Sequence, residues 1–181
     1  MQNSTHSPFH RTETDGEPLE IVPTVIAAPR HPEGVFLHDY WFRCRVRGGL
    51  KVGRDLPARE IAKLMSKLSV FEPNADKSDF RFRLVASGWL TLYGRDVKGE
   101  WLSSLYDEAA FEHYAGGLRR VLDTDAPHVT HVRVYKHRQV HQHIEYVGLP
   151  IEPQIGPGSC ILIGAFHFDS EPVSQIGANA P

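Results

Sequence analysis

The chain has 181 residues, 41% of them hydrophobic and 23% charged, which fits one globular domain with tails rather than a disordered or fibrous polymer. A formal net charge of -2 and an isoelectric point near 6.6 leave no electrostatic footprint for nucleic acid as a partner. No apolar run reaches the roughly 20 residues of a membrane helix, and the opening residues lack the basic region and apolar core of a secretory signal. Cys44 and Cys160 are too few and too far apart for a disulfide framework, which makes the cytoplasm the expected compartment.

Residues 1–34 are rich in Pro, Ser, Thr and charge. Their one apolar stretch, Ile21 to Ala28, is bracketed by Pro23, Pro29 and Pro32, which argues against a helix, so the segment reads as a flexible or loosely docked arm. Phe36, Leu37, Tyr40, Trp41 and Cys44 recur at helical spacing, predicting a short helix over 35–46 that Gly48 and Gly49 end. A second helix is expected from Pro57, with Ile61, Leu64, Met65 and Leu68 as its buried stripe. The period then changes. Phe80, Phe82 and Leu84 alternate with Arg81 and Arg83 as in a half-buried strand, and 69–72 is its hairpin partner across a Pro73–Asn74–Ala75–Asp76 turn.

Gly88 to Tyr93 reads as a helical turn, followed by a loop punctuated by Gly94 and Gly99. Asp96 within that loop can accept bonds from nearby backbone N–H groups and close it. A long helix follows from about Asp107 to Leu122, with Phe111, Tyr114, Ala115, Leu118, Val121 and Leu122 on one face. Gly116 and Gly117 together cost it about 1–2 kcal/mol in helix propensity, so tertiary packing must hold it. Three strands complete the chain: 129–136, 139–149 and 160–168. The expected fold class is therefore α+β: a five-stranded antiparallel sheet with helices packed on one face and a further N-terminal helix. The expected organisation is an arm at 1–34, a domain at 35–169 and a tail at 170–181.

The order of these elements resembles the PAS fold, and several motifs are similar to those of the stand-alone PAS family of alphaproteobacteria. They are Asp39–Tyr40–Trp41 in the first helix and Arg54–Asp55–Leu56–Pro57 at the start of the second. The strand-to-turn stretch from Asp79 through Phe80, Arg81, Phe82 and Arg83 to Gly88 is a third, and the loop Tyr93–Gly94–Arg95–Asp96–Val97–Lys98–Gly99 is a fourth. The resemblance implies a regulatory domain in bacterial signalling, not an enzyme, that either senses a small molecule or binds a protein. On the first reading a small apolar ligand sits between the long helix and the sheet, lined by Phe82, Leu92, Phe111, Leu118, Ile144, Ile163, Phe166 and His167. On the second the core is filled, and Phe36, Leu37, Tyr40 and Trp41 form the interface of a homodimer or meet a signalling partner.

The His-rich hairpin between His128 and His143 is not required by that resemblance. His141, His143 and Glu145 stand at i, i+2 and i+4 on one strand, which offers a cupin-like metal-binding enzyme as the alternative function. The alternation favours a different reading, in which Gln139, His141, His143 and Glu145 form the wet outer face and Val140, Ile144 and Tyr146 the inner one. His131 lies on the neighbouring strand in step with Val129 and Arg133. The helical wheel turns His113 away from the apolar stripe and toward water, which disfavours it as an axial ligand for haem. No phosphate loop, dinucleotide fingerprint, zinc-finger spacing or Gly-x-Ser-x-Gly is present. The cofactor, if any, is left open.

Overall fold

A computed structural model describes residues 20–136, 139–155 and 158–168. Its elements run β1 (Glu20–Ile26), α1 (Pro32–Val46), β2 (Leu68–Pro73), β3 (Phe80–Leu84), α2 (Ser87–Tyr93), α3 (Glu108–Thr124), β4 (His128–Lys136), β5 (Gln139–Ile151) and β6 (Cys160–His167). The strands form one open antiparallel sheet in the order β1-β4-β5-β6-β2-β3. The α+β class and the antiparallel sheet stand as expected.

Three expectations need correction. The sheet has six strands rather than five, because Glu20–Ile26, read as part of an arm, pairs along β4. The prolines that argued against a helix there do not argue against a strand, because Pro23 lies on an edge strand, where a missing N–H is tolerated. The second helix is a six-residue 3₁₀ segment, Ala62–Lys67, that runs straight into β2. Ile61 and Leu64, three residues apart, are its buried contacts.

The third correction is that helices cover both faces of the sheet. Along each central strand, alternate residues feed two different cores. Val147 and Leu149 of β5 and Leu162 and Phe166 of β6 pack with Leu37, Tyr40, Trp41 and Cys44 of α1. Ile161 and Ile163 of β6 pack with Phe71, Phe80 and Phe82 and with Ala115, Leu118 and Val121 of α3. Both faces are apolar where the chain suggested one wet face.

Local chemistry explains the helix ends. His31 caps α1, its Nδ1 accepting from the Glu33 N–H at 3.2 Å, and Pro32 follows at the first helical position. Gly48, at φ +101°, turns the chain so that the Gly49 N–H returns to the Cys44 carbonyl at 3.0 Å. Asp107 caps α3 by accepting from the Ala110 N–H at 2.9 Å. The Trp41 indole donates to the Pro150 carbonyl at 2.7 Å, and the Tyr40 hydroxyl to the Asp55 carbonyl at 3.0 Å, fixing α1 over the sheet.

The glycine-punctuated loop has a definite task. Asp96 accepts from the Lys98 N–H at 2.9 Å, and the chain returns so that the Gly99 N–H reaches the Phe82 carbonyl at 2.7 Å while the Phe82 N–H reaches Glu100 at 3.0 Å. The free edge of β3 is thereby covered.

The two layers are in close contact at Gly164, where a Cβ would lie 2.7 Å from both Leu37 Cδ2 and the Phe166 ring. Gly164→Ala is expected to destabilise the protein by about 1–3 kcal/mol through overpacking, seen as a lowered urea midpoint. An unchanged midpoint would mean that α1 does not sit this close to β6.

Candidate functional site

On the α3 side of the sheet the packing is incomplete. A cleft of about 670 Å³ lies between α3, the β4–β5 face and the edge strand β1, within the size range of small-molecule sites. Its helical wall is Ala110, His113, Gly116, Gly117, Arg120 and Val121. Its sheet wall is Val132 and Thr130 of β4, Tyr146 and Gly148 of β5 and Ile163 of β6, with Pro23 and Val25 of β1 at the rim. Phe71, Trp89, Leu102 and Tyr106 close one end.

The glycines of α3 are now accountable. A Cβ built on Gly116 or Gly117 would meet nothing within 4 Å beyond the helix's own backbone. No packed neighbour demands glycine here. The two residues instead keep the helix surface bare where it faces the cleft, as at positions where another group approaches backbone closely.

Tyr106, Tyr114 and Tyr146 are among the polar side chains that line the cleft. Tyr106 and Tyr114 lie with ring centroids 4.7 Å apart, and Tyr93 stacks on Trp89 at 6.0 Å. Burial pushes the Tyr93, Tyr106 and Tyr114 phenols above their ordinary value and Tyr146 up to about 12. These hydroxyls are neutral at physiological pH. At the far end His128 Nε2 stands 3.4 Å from Thr130 Oγ1. Burial, and secondarily the Arg120 charge, hold the His128 imidazole below the ordinary histidine value.

Of the expected pocket residues, Leu118 and Ile163 line the cleft. Phe82 is spent in the core, its ring 4.5 Å from Phe71 and 5.3 Å from Trp89. Phe111 and Ile144 are on the correct side but are not among the lining residues. Phe166 is on the opposite face, stacked on His31 at 5.4 Å. His167 is exposed on the last residue of β6, and the Leu92 side chain lies outside the described residues. His113, expected to face water, is exposed at the mouth of the cleft. Sequence reasoning missed Gly116, Gly117, Tyr146, Thr130 and β1 as cleft residues. The glycine pair was the available signal, being an unexplained cost in the middle of the long helix.

The α1 face carries the other polar constellation, and it overturns the wet-face reading. Glu145 is fully buried. Its Oε2 accepts from the Arg30 N–H at 2.6 Å and lies 2.8 Å from His131 Nε2, and the His31 N–H reaches both carboxyl oxygens at 3.2 Å. His131, also buried, meets His143 Nε2 through its Nδ1 at 3.3 Å, and Phe168 stacks on His143 at 4.2 Å. Gly34 permits this approach, since a Cβ there would fall 2.2 Å from Glu145 Oε1. Val140, expected inside, is exposed because the β4–β5 register shifts between Val134 and Tyr135, leaving His141 as the extra residue.

The same shift undoes the three-ligand argument. The i, i+2 alternation is interrupted at His141, whose side chain lies outside the described residues, and the Glu145 oxygens are turned to α1 and His131. Among the described residues no group of three His, Cys, Asp or Glu is placed to hold a metal ion. The cupin-like alternative is not supported, since the sheet is open rather than a closed barrel.

The expected dimer residues are also relocated. Leu37, Tyr40 and Trp41 are buried against this chain's own sheet, and of the four only Phe36 is exposed. The outward stripe of α1 is Val35, Phe42 and Val46, the last two 58% and 74% exposed. A second cleft of about 590 Å³ near Lys51 and Ser159 is lined by charges that include the Arg45–Asp125 ion pair, at 2.6 Å.

A family model described as PAS domain matches residues 30–166, well over half of the chain. No curated protein and no solved structure matches it.

Glu145→Ala is expected to cost about 3 kcal/mol, because it leaves buried donors at Arg30, His31 and His131 without their acceptor. Urea unfolding measures it, and a loss below a few tenths would remove Glu145 as the anchor of α1. A pH effect follows from His128 and His167, both held below the ordinary histidine value of 6.5 by burial first. The unfolded chain binds more protons below that value, so stability is complete above 6.5 and declines as pH falls through it toward the folded values. His128→Gln should flatten the decline in unfolding curves recorded across that range.

Proposed function

The chain belongs to the PAS domain family, and we propose that it is a regulatory domain of bacterial signalling that senses a small molecule in the α3 cleft. The observation that carries this reading is the pair Gly116–Gly117. A helix interior accepts two adjacent glycines at a cost of about 1 kcal/mol each relative to alanine. Here their bare face borders open space rather than a packed neighbour. Largely apolar walls with few charged side chains fit a site that holds a ligand rather than transforms it.

The output is contact with another chain, in the simplest case a second copy. Val35, Phe36, Phe42 and Val46 on the outer side of α1 supply the apolar surface for it. No helix among the described residues is long and apolar enough to cross a membrane. Buried, unpaired Cys44 and Cys160 suit the reducing cytoplasm.

Native mass spectrometry of protein purified without added ligand is expected to find a co-purified small molecule. Gly117→Leu, which fills the cleft from the helix side, should lose it while remaining folded. Gly116→Ala should raise the ligand-free stability by up to about 1 kcal/mol, since its methyl group meets no clash. A Gly117→Leu protein that retains the molecule would place the ligand elsewhere.

A further inference from the structure

The cleft has a charge signature beyond its size. None of its lining residues is acidic, while Arg120 and the imidazoles of His113 and His128 border it. The acids nearest Arg120 along the helix are occupied elsewhere. Asp123 takes Lys77 at 3.0 Å, Asp125 takes Arg45 at 2.6 Å, and Glu112 takes Arg119. Arg120 itself has no ion-pair partner among the described residues. Arg120 stands before the last turn of α3, outside the reach of the macrodipole that would favour a cation at the helix end.

Arg120 is the one permanently charged residue of the lining, and it stands toward one end of it. His128 and Thr130, adjacent on one face of β4, lie close enough to Arg120 for its charge to act on the imidazole. Beyond them the lining is largely apolar, through Val121, Gly117, Ala110, Leu102 and Phe71, with His113 and the tyrosines as its other polar side chains. The cleft follows α3 from Ala109 to Val121, a span of about 18 Å at 1.5 Å per residue.

We propose that the ligand of this cleft is an amphiphilic monoanion, with an extended apolar body lying along Gly116–Gly117 and a carboxylate-type head at Arg120, His128 and Thr130. The inference rests on the reading of the cleft as a ligand site. The guanidinium pairs with the head, the Thr130 hydroxyl and the neutral His128 ring donate to it, and the bare helix backbone admits the body. Selectivity for an acid over a neutral molecule of equal length comes from Arg120, which binding would take out of water together with its partner.

The test uses three probes of one chain length on the full chain at neutral pH and below their micelle concentrations: dodecanoate, dodecan-1-ol and dodecyltrimethylammonium. Binding is followed through the Gly116 and Gly117 amide resonances and by calorimetry. Dodecanoate is expected to bind about tenfold more tightly than dodecan-1-ol and the cationic probe most weakly. Arg120→Gln, an exposed change that leaves the core intact, should abolish the difference, and Arg120→Lys should keep part of it. Bound dodecanoate should also raise the His128 titration midpoint. Equal affinity for dodecanoate and dodecan-1-ol, or full discrimination in Arg120→Gln, would overturn the anion assignment while leaving the cleft a ligand site. No shift at the two glycines with any probe would overturn both.

Discussion

The carboxyl group of Glu145 holds the start of α1 against the sheet. It projects from the middle of β5 and is fully buried, facing the first backbone N–H groups of the turn into α1 on one side and the cross-strand His131 on the other. A group of this kind has few tolerable surroundings, because a buried carboxyl without partners is far more costly than one with three. The arrangement therefore fixes where α1 begins, how near it lies to β5 and which residue must be Gly34. The apolar packing of Leu37, Trp41 and Cys44 then follows from helical geometry.

With α1 pinned, the two faces divide the labour. The α1 face is packed to contact, with Gly164 as the place where helix and strand almost touch. The α3 face is packed only toward β3, where Phe71, Phe80 and Phe82 fill the layer, and it opens toward β4 and β1. Interiors otherwise pack as densely as organic crystals. An opening edged by helix glycines is therefore a property of the sequence, not slack in the fold.

Much of the framework was legible from periodicity. The helix over α3, the β2–β3 hairpin and the three C-terminal strands fall within a residue or two of where alternation and spacing put them. The failures have identifiable causes. A proline-rich stretch was taken for an arm because proline opposes helices, yet the same residue is compatible with an edge strand. The wet face was inferred from alternation, and alternation does not reveal that α1 folds back over it, nor that one extra residue at His141 shifts the pattern. Glu145 reads as polar surface because two of its partners, the Arg30 and His31 backbone N–H groups, lie 115 and 114 residues away in the chain, and the third, His131, lies 14 residues away on the neighbouring strand. The helix glycines were noticed as a cost, but only the structure gives the vacant space beside them.

The edge strand β1 belongs to both halves of this arrangement. Its Pro23 and Val25 stand at the rim of the cleft, and five residues after its end the chain enters α1 at the cap that Glu145 holds. Edge strands are the least secured elements of a sheet, paired on one side only. Any molecule that fills the cleft adds contacts to β1, and by thermodynamic reciprocity whatever loosens β1 from β4 weakens that molecule's hold to the same degree. The route from cleft to helix is thus a single short stretch of covalent chain, and it needs no relay through the core.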